Sequence, residues 1–224
     1  NDYRFDEMKA KIVVAIINDY INRKKMWSYD HYLLKKEGGM LIKGKACAIM
    51  QPTYLPWLGY FDLIANVKDF IFLDDVKFNK STFHHQNKIL GSNGIILLSV
   101  PTHANKGRMN SMINDVTIDN SKRWQIKHLK SIEQSFKKAP YYDEIYHNIE
   151  SILLSDEVKL SELNIKIIKF VSSILSLNTK FHVSSEMDYL TKDRVERLID
   201  FCKMKDCTHY YSPIGSLDYL DTNE

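Results

Sequence analysis

Asp74 and Asp75 stand side by side after an apolar run, Phe70-Ile71-Phe72-Leu73, and a polar stretch follows with Lys77, Lys80, His84, His85, Gln86 and Lys88. Paired carboxylates do general acid/base work or hold a divalent cation. The expected role here is a base, Asp74 or Asp75, that takes the proton of an attacking amine or hydroxyl. Asp also suits turns, so a turn-forming Asp74 beside a solvated Asp75 is the structural alternative. Neighbouring side chains diverge on a strand and on a helix. At most one of His84 and His85 therefore faces any site.

A second constellation lies earlier, in Gln51-Pro52-Thr53-Tyr54-Leu55-Pro56-Trp57-Leu58-Gly59-Tyr60. Two prolines fix φ and stiffen a segment that presents Tyr54, Trp57 and Tyr60, with Gln51 at its start. Aromatic faces of this kind stack on a ring, an apolar sugar face or a base. Trp124 and His128 are four apart and share one helix face; they either pack in the core or line the wall opposite the loop, where His128 is an alternative base. Ser184 and Ser185 end a short apolar run just before a helix carrying Arg197. Small hydroxyls there serve an anion or cap the helix. Lys88 and Arg197 are the cations expected to neutralise substrate charge. Near the C-terminus, Tyr210-Tyr211-Ser212-Pro213 followed by Gly215 and Ser216 repeats the format of the first loop. That places Ser212 and Gly215 among the candidate binding residues.

The elements that must position these groups alternate. Residues 45–51 read as a strand, 58–67 as a helix and 69–73 as a second strand. Residues 94–100 (Gly-Ile-Ile-Leu-Leu-Ser-Val) read as a third strand, apolar enough to be buried on both faces. Asp115 to Ile118 makes a short strand. A helical block covers 120–138, 141–153 and 158–176; a strand at 180–184, a helix at 191–204 and a strand at 209–212 close the pattern. Strands alternating with helices predict an α/β fold, a Rossmann-like, mostly parallel sheet flanked by helices, with a helical insertion around 120–176. Ahead of it, apolar residues at helical spacing from Phe5 to Ile21 and a basic, aromatic stretch at 22–36 predict an N-terminal helical extension over 1–39. The α/β domain then runs over 40–224.

Composition limits the class. The chain has 224 residues, 44% hydrophobic and 26% charged, the profile of a globular protein. Its net charge of +3 comes from near balance, 31 basic against 28 acidic residues, without the basic block a nucleic-acid surface would show. No stretch approaches the roughly 18 apolar residues of a membrane span, and no signal peptide is visible. The three cysteines fit neither a disulfide framework nor a four-cysteine zinc site, which predicts reduced thiols and a cytoplasmic setting. Neither a GxGxxG nor a GxxxxGK[ST] cradle is present, nor a GxSxG elbow, nor HExxH. These motifs leave the cofactor unknown, name no metal and set no oligomeric state.

Together the segments carry a family resemblance. Gln51-Pro52-x-Tyr54-Leu55-Pro56-Trp57-Leu58-Gly59-Tyr60-Phe61-Asp62, then Phe72-Leu73-Asp74-Asp75, resembles the opening of the WbqC-like family. Val100-Pro101, Trp124-x-x-Lys127-His128, Ala139-Pro140-Tyr141-Tyr142, Leu163-Asn164, Ser184-Ser185-Glu186, Arg197-Leu198-Ile199 and Tyr211-Ser212-x-x-Gly215 follow in order, from about residue 45 to the end. Two positions depart: Met50 and Gln86 stand where the family often has His and Arg. Family members also run several dozen residues further, so the C-terminal end is expected to be missing here. The resemblance implies a part in O-antigen and other surface-polysaccharide biosynthesis. The expected activity is a glycyl, aminoacyl or acyl transferase acting on a sugar or nucleotide-sugar precursor. The rival expectations are a non-catalytic module that binds the glycan precursor and an ATP-using amide-forming ligase.

Overall fold

In the computed structural model, residues 45–80, 82–104, 107, 110–189, 191 and 193–212 are described. The N-terminal helical extension expected over 1–39 and the Gly215 turn lie outside them. The chain runs β1 (Ala46–Met50), α1 (Leu58–Ala65), β2 (Asp69–Phe72), β3 (Gln86–Gly91), β4 (Gly94–Ser99), β5 (Thr102–Ala104) and β6 (Val116–Ile118). It continues through α2 (Trp124–Phe136), α3 (Tyr142–Leu153), α4 (Leu160–Ile174), β7 (Lys180–Val183), α5 (Arg194–Met204) and β8 (His209–Tyr210).

Four of the strands, in the order β7-β2-β1-β8, form one sheet whose pairs are all parallel. Side chains alternate between the two faces of a strand, and the core divides accordingly. Ala46, Ala48, Phe70 and Phe72, with Phe181 and Val183 against them, face the larger core, which α1 to α4 complete. Small residues on β1 leave room for rings on β2 and β7. Phe72 stacks on Phe181 at 5.4 Å and meets Phe70 edge-on at 5.2 Å. Ile49, Ile71 and Leu73 point the other way, onto Leu198 and Phe201 of α5. Strands covered on both faces need a near-continuous apolar sequence, and Phe70-Ile71-Phe72-Leu73 supplies it.

Strand order locates the crevice. From β1 the chain steps outward to β2 and then β7, with α1 in the larger core; it then returns through α5 on the opposite face to pair β8 with the other side of β1. At such a reversal the loops leaving two neighbouring strands diverge, and open α/β sheets bind ligands there, beyond the strand C-termini. The Rossmann-like parallel sheet flanked by helices is thus present.

The strand expected at 94–100 is a correction. It is not an inner strand of the sheet but one limb of an antiparallel hairpin with β3, in register from Gln86 opposite Ser99 to Gly91 opposite Gly94. Gly94 holds φ at 121° at the tight end, a conformation only glycine adopts at low cost. The hairpin covers the core with one face only: Ile95 and Leu97 are 56% and 54% exposed while Leu98 is 1% exposed. An apolar run alone does not say how many of its faces are covered. Leu97→Ser is therefore expected to leave stability within about 0.5 kcal/mol. Leu98→Ala should cost about 2–5 kcal/mol. Urea unfolding of the two variants checks this, and equal losses would refute the one-faced hairpin.

Candidate functional site at the strand C-termini

The loop after β1 folds inward. Tyr54 N–H donates to the Phe83 carbonyl (2.9 Å). Asn87 donates its amide to the Leu55 carbonyl and lies 3.4 Å from that of Tyr54. The Asn164 amide, on α4, donates to the carbonyls of Pro52 (3.1 Å) and His84 (2.8 Å). One planar NH2 group thus staples the first loop to the segment entering β3. Leu55 is held at φ 47°, a left-handed conformation that costs a non-glycine residue about 1–3 kcal/mol. These bonds hold it there.

This packing corrects the expected aromatic wall. Tyr54 is 0% exposed. Its ring meets Trp124 edge-on (6.3 Å) and its hydroxyl bonds His128 Nδ1 (2.8 Å). Burial pushes the Tyr54 phenol far up, so it stays protonated and shares a hydrogen bond with the imidazole. Burial lowers His128 to about 4, against a smaller opposite pull from the Ser99 backbone. Trp124 is buried too, its Nε1 donating to Asn120 Oδ1 (3.3 Å). Tyr60 is enclosed, with its hydroxyl on the Gln51 carbonyl (3.0 Å). Rings closed on all sides do not stack on a ligand. Tyr54, Tyr60, Trp124 and His128 instead form the scaffold behind the loop, and the partners of His128 leave it no part in the carboxylate cluster. Trp57, half-buried and edge-on to Tyr60 at 5.7 Å, keeps part of its ring exposed.

At the C-terminal ends of β2 and β7 the structure does assemble the polar residues. Asp74 is buried; its Oδ1 accepts from Ser185 N–H (3.1 Å) and its Oδ2 from the Ser185 hydroxyl (2.8 Å). Ser184 Oγ accepts from Asp74 N–H (3.1 Å). It lies 2.6 Å from Asp75 Oδ1 and 3.1 Å from Asp74 Oδ1. A hydroxyl has one proton, and the shorter contact directs it to Asp75. Asp75 also accepts from the Tyr189 hydroxyl, and Arg197 Nη1 lies 3.8 Å from its Oδ1. The Arg197 guanidinium sits over the Tyr189 ring at 5.5 Å, a cation–π contact. Its Nε is buried with no hydrogen-bond partner. The helix that delivers Arg197 starts at a firm cap, the Asp193 carboxylate accepting from the N–H groups of Val195 (2.9 Å) and Glu196 (3.0 Å).

Asp74, Asp75, Ser184, Ser185 and Arg197 thus meet from three separate segments. Tyr189 joins them unforeseen. Its only sequence signal is a place between the Ser-Ser turn and the Asp193 cap, and burial followed by the Asp75 bond raises its phenol. The two carboxylates differ in freedom. Asp74 is tied down by both serines, while Asp75 is the partly exposed one, bridging serine, tyrosine and arginine. Lys88 does not share the cluster's segments; it sits mid-hairpin opposite Leu97. Ser212 is the last described residue, one past Tyr211, whose N–H extends the β8 ladder to the Cys47 carbonyl (2.8 Å). Among the described residues no group of three or more His, Cys, Asp or Glu side chains could hold a metal ion, and no helix is long and apolar enough to cross a membrane.

The profile of the WbqC-like protein family matches residues 51–224, from the first loop through this cluster. The chain belongs to that family. It is also similar to a Mycobacterium tuberculosis protein, the uncharacterized protein Rv1507c, at 33% identity over 179 residues, which is 79% of this chain and 76% of that protein. No solved structure matches. The WbqC-like match begins at Gln51, the first residue beyond β1, so it spans the candidate site.

Proposed function

We propose that this WbqC-like chain is a cytoplasmic transferase of the glycyl, aminoacyl or acyl type. It would modify a sugar or nucleotide-sugar precursor of a surface polysaccharide, the pathway to which the family is linked. The observation that carries the reading is the convergence of Asp75, Ser184, Tyr189 and Arg197 at the C-terminal ends of β2 and β7. That end of a parallel sheet is where ligands bind.

In this reading Asp75 is the base. It takes the proton of the attacking amine or hydroxyl, while Ser184 and Tyr189 hold its two oxygens in line. Arg197, fixed beside it, balances charge on the substrate as the reaction proceeds. Asp74 anchors the Ser184–Ser185 turn rather than reacting. The exposed part of Trp57 offers a face for the sugar or base.

The test is Asp74→Asn and Asp75→Asn, singly, in the full gene, with the surface glycan examined and protein levels checked. Asp75→Asn is expected to lower the modified glycan at least about 100-fold, the usual scale of a lost general base. Asp74→Asn should act mainly through protein stability. Unchanged glycan from both variants at normal protein levels would remove the carboxylate base. A Trp57→Ala chain that loses precursor binding while both Asn variants stay silent would favour a binding module instead.

A further inference from the structure

Cys47 is far in sequence from Cys202 and Cys207, yet the three come together on the α5 face of the sheet. Cys47 is the second residue of β1 and fully buried. It is on the same side of that strand as Ile49, the side that meets α5. Cys202 lies in the last turns of α5 and is half-buried. Their sulfurs are 3.2 Å apart across 155 residues. Cys207 follows in the turn leading to β8, its N–H bonded to the Cys202 carbonyl (2.9 Å) and its sulfur 3.5 Å from the Lys205 carbonyl. Nothing in the proposed transferase chemistry uses these thiols.

Two thiols in contact, one sealed in a strand and one reachable from solvent, form a pair of unequal reactivity. The contact with Cys202 and then burial hold the Cys47 thiol protonated, whereas its hydrogen bond lowers the Cys202 thiol against a smaller opposing effect of burial. Cys202, half-buried where Cys47 is sealed, is thus the sulfur that a peroxide reaches, and its thiolate is the reactive form. Closing from 3.2 Å to a disulfide length of about 2.05 Å requires a shift of only about 1 Å.

We propose that Cys47 and Cys202 form a reversible oxidation site that takes a hydroperoxide. The Cys202 thiolate attacks the peroxide; the O–O bond breaks, the departing alkoxide takes a proton to become the alcohol, and Cys202 becomes a sulfenic acid. The Cys47 sulfur then attacks the Cys202 sulfur. The S–O bond breaks, hydroxide leaves with the thiol proton as water, and a disulfide remains. The two sulfurs together give up two electrons, and one peroxide is reduced to one alcohol and one water. The product ties the central strand β1 to α5, the helix that carries Arg197.

The experiment uses the full chain, reduced and folded, with stoichiometric tert-butyl hydroperoxide, alkylation of remaining thiols and non-reducing peptide mass spectrometry. The expected result is a fall from three titratable thiols to one, with a Cys47–Cys202 linked peptide that dithiothreitol reverses. Cys207→Ser is expected to keep that link. Three thiols remaining after peroxide, stable oxidation of Cys202 without a link, or a link through Cys207 would each overturn the proposal. Because the readout is a thiol count, it is independent of any loss of glycan modification, so a failure here is distinct from a failure of the transferase reading.

Discussion

Lowering the pH from 7 to 4.5 is expected to destabilise the folded chain by about 2–3 kcal/mol for each of two buried histidines, His84 and His128. Burial lowers both to about 4, with the neighbouring His85 adding to the shift at His84. In the unfolded chain a histidine titrates near 6.5. Between these values the unfolded state binds protons that the native state does not, so stability falls as pH falls through about 6.5 and levels off below about 4. His85, lowered chiefly by burial, acts in the same direction. Asp69 stays out of this window. Burial alone would raise its carboxyl, but Lys45 (2.8 Å) and His182 (2.7 Å) bring it below its ordinary value. Its contribution is lost only as pH drops below about 4. Urea unfolding at half-unit intervals from pH 7 to 4.5 reads the slope. His128→Gln, which keeps a polar partner for Tyr54, should be less stable at pH 7 but lose less on acidification. A flat profile across this range would mean that the imidazoles are not sealed as described.

Asn164→Leu carries the second large effect, an expected loss of about 2–5 kcal/mol. The substitution keeps roughly the side-chain volume but removes the amide that serves the Pro52 and His84 carbonyls. Asn164 is fully buried, so water does not replace it, and each stranded buried acceptor costs about 1–3 kcal/mol. The loss has a functional side as well, because the same amide fixes the loop that carries Trp57. Denaturant unfolding gives the stability. Quenching of Trp fluorescence by acrylamide gives the loop, whose Trp57 should become more accessible while buried Trp124 changes less. A loss under about 1 kcal/mol with unaltered quenching would show that the loop stands without the staple.

Asn164 also shows where reading the chain stops short. In the sequence it is one polar residue in an apolar helical stripe, Leu160 to Ile174, and helical spacing says only that it faces inward. Its partners come from segments 112 and 80 residues away, which no local pattern names. Tyr54 is the converse. A proline-stiffened aromatic loop at a strand end reads as a ligand platform, yet the hairpin of β3 and β4 with α2 closes over it. From the sequence the same hairpin reads as a buried inner strand preceded by a polar stretch. Both errors have one cause: a run of apolar residues gives the need for cover but not its source.

The sequence by itself determined the strands β1, β2, β7 and β8 with helices between them, the strand end at Asp74–Asp75, the serine turn at Ser184–Ser185 and the membership carried by the Gln51–Asp62 motif. These depend on neighbours a few residues apart, through periodicity, proline and capping. Only the tertiary structure decided which aromatics are sealed, that Tyr189 and Arg197 meet Asp75, and that Cys47 touches Cys202 across the α5 face. Those outcomes depend on strand order and on which face of each element is covered, set by contacts between segments far apart in the chain. The free energy of burial, not local propensity, selects among them.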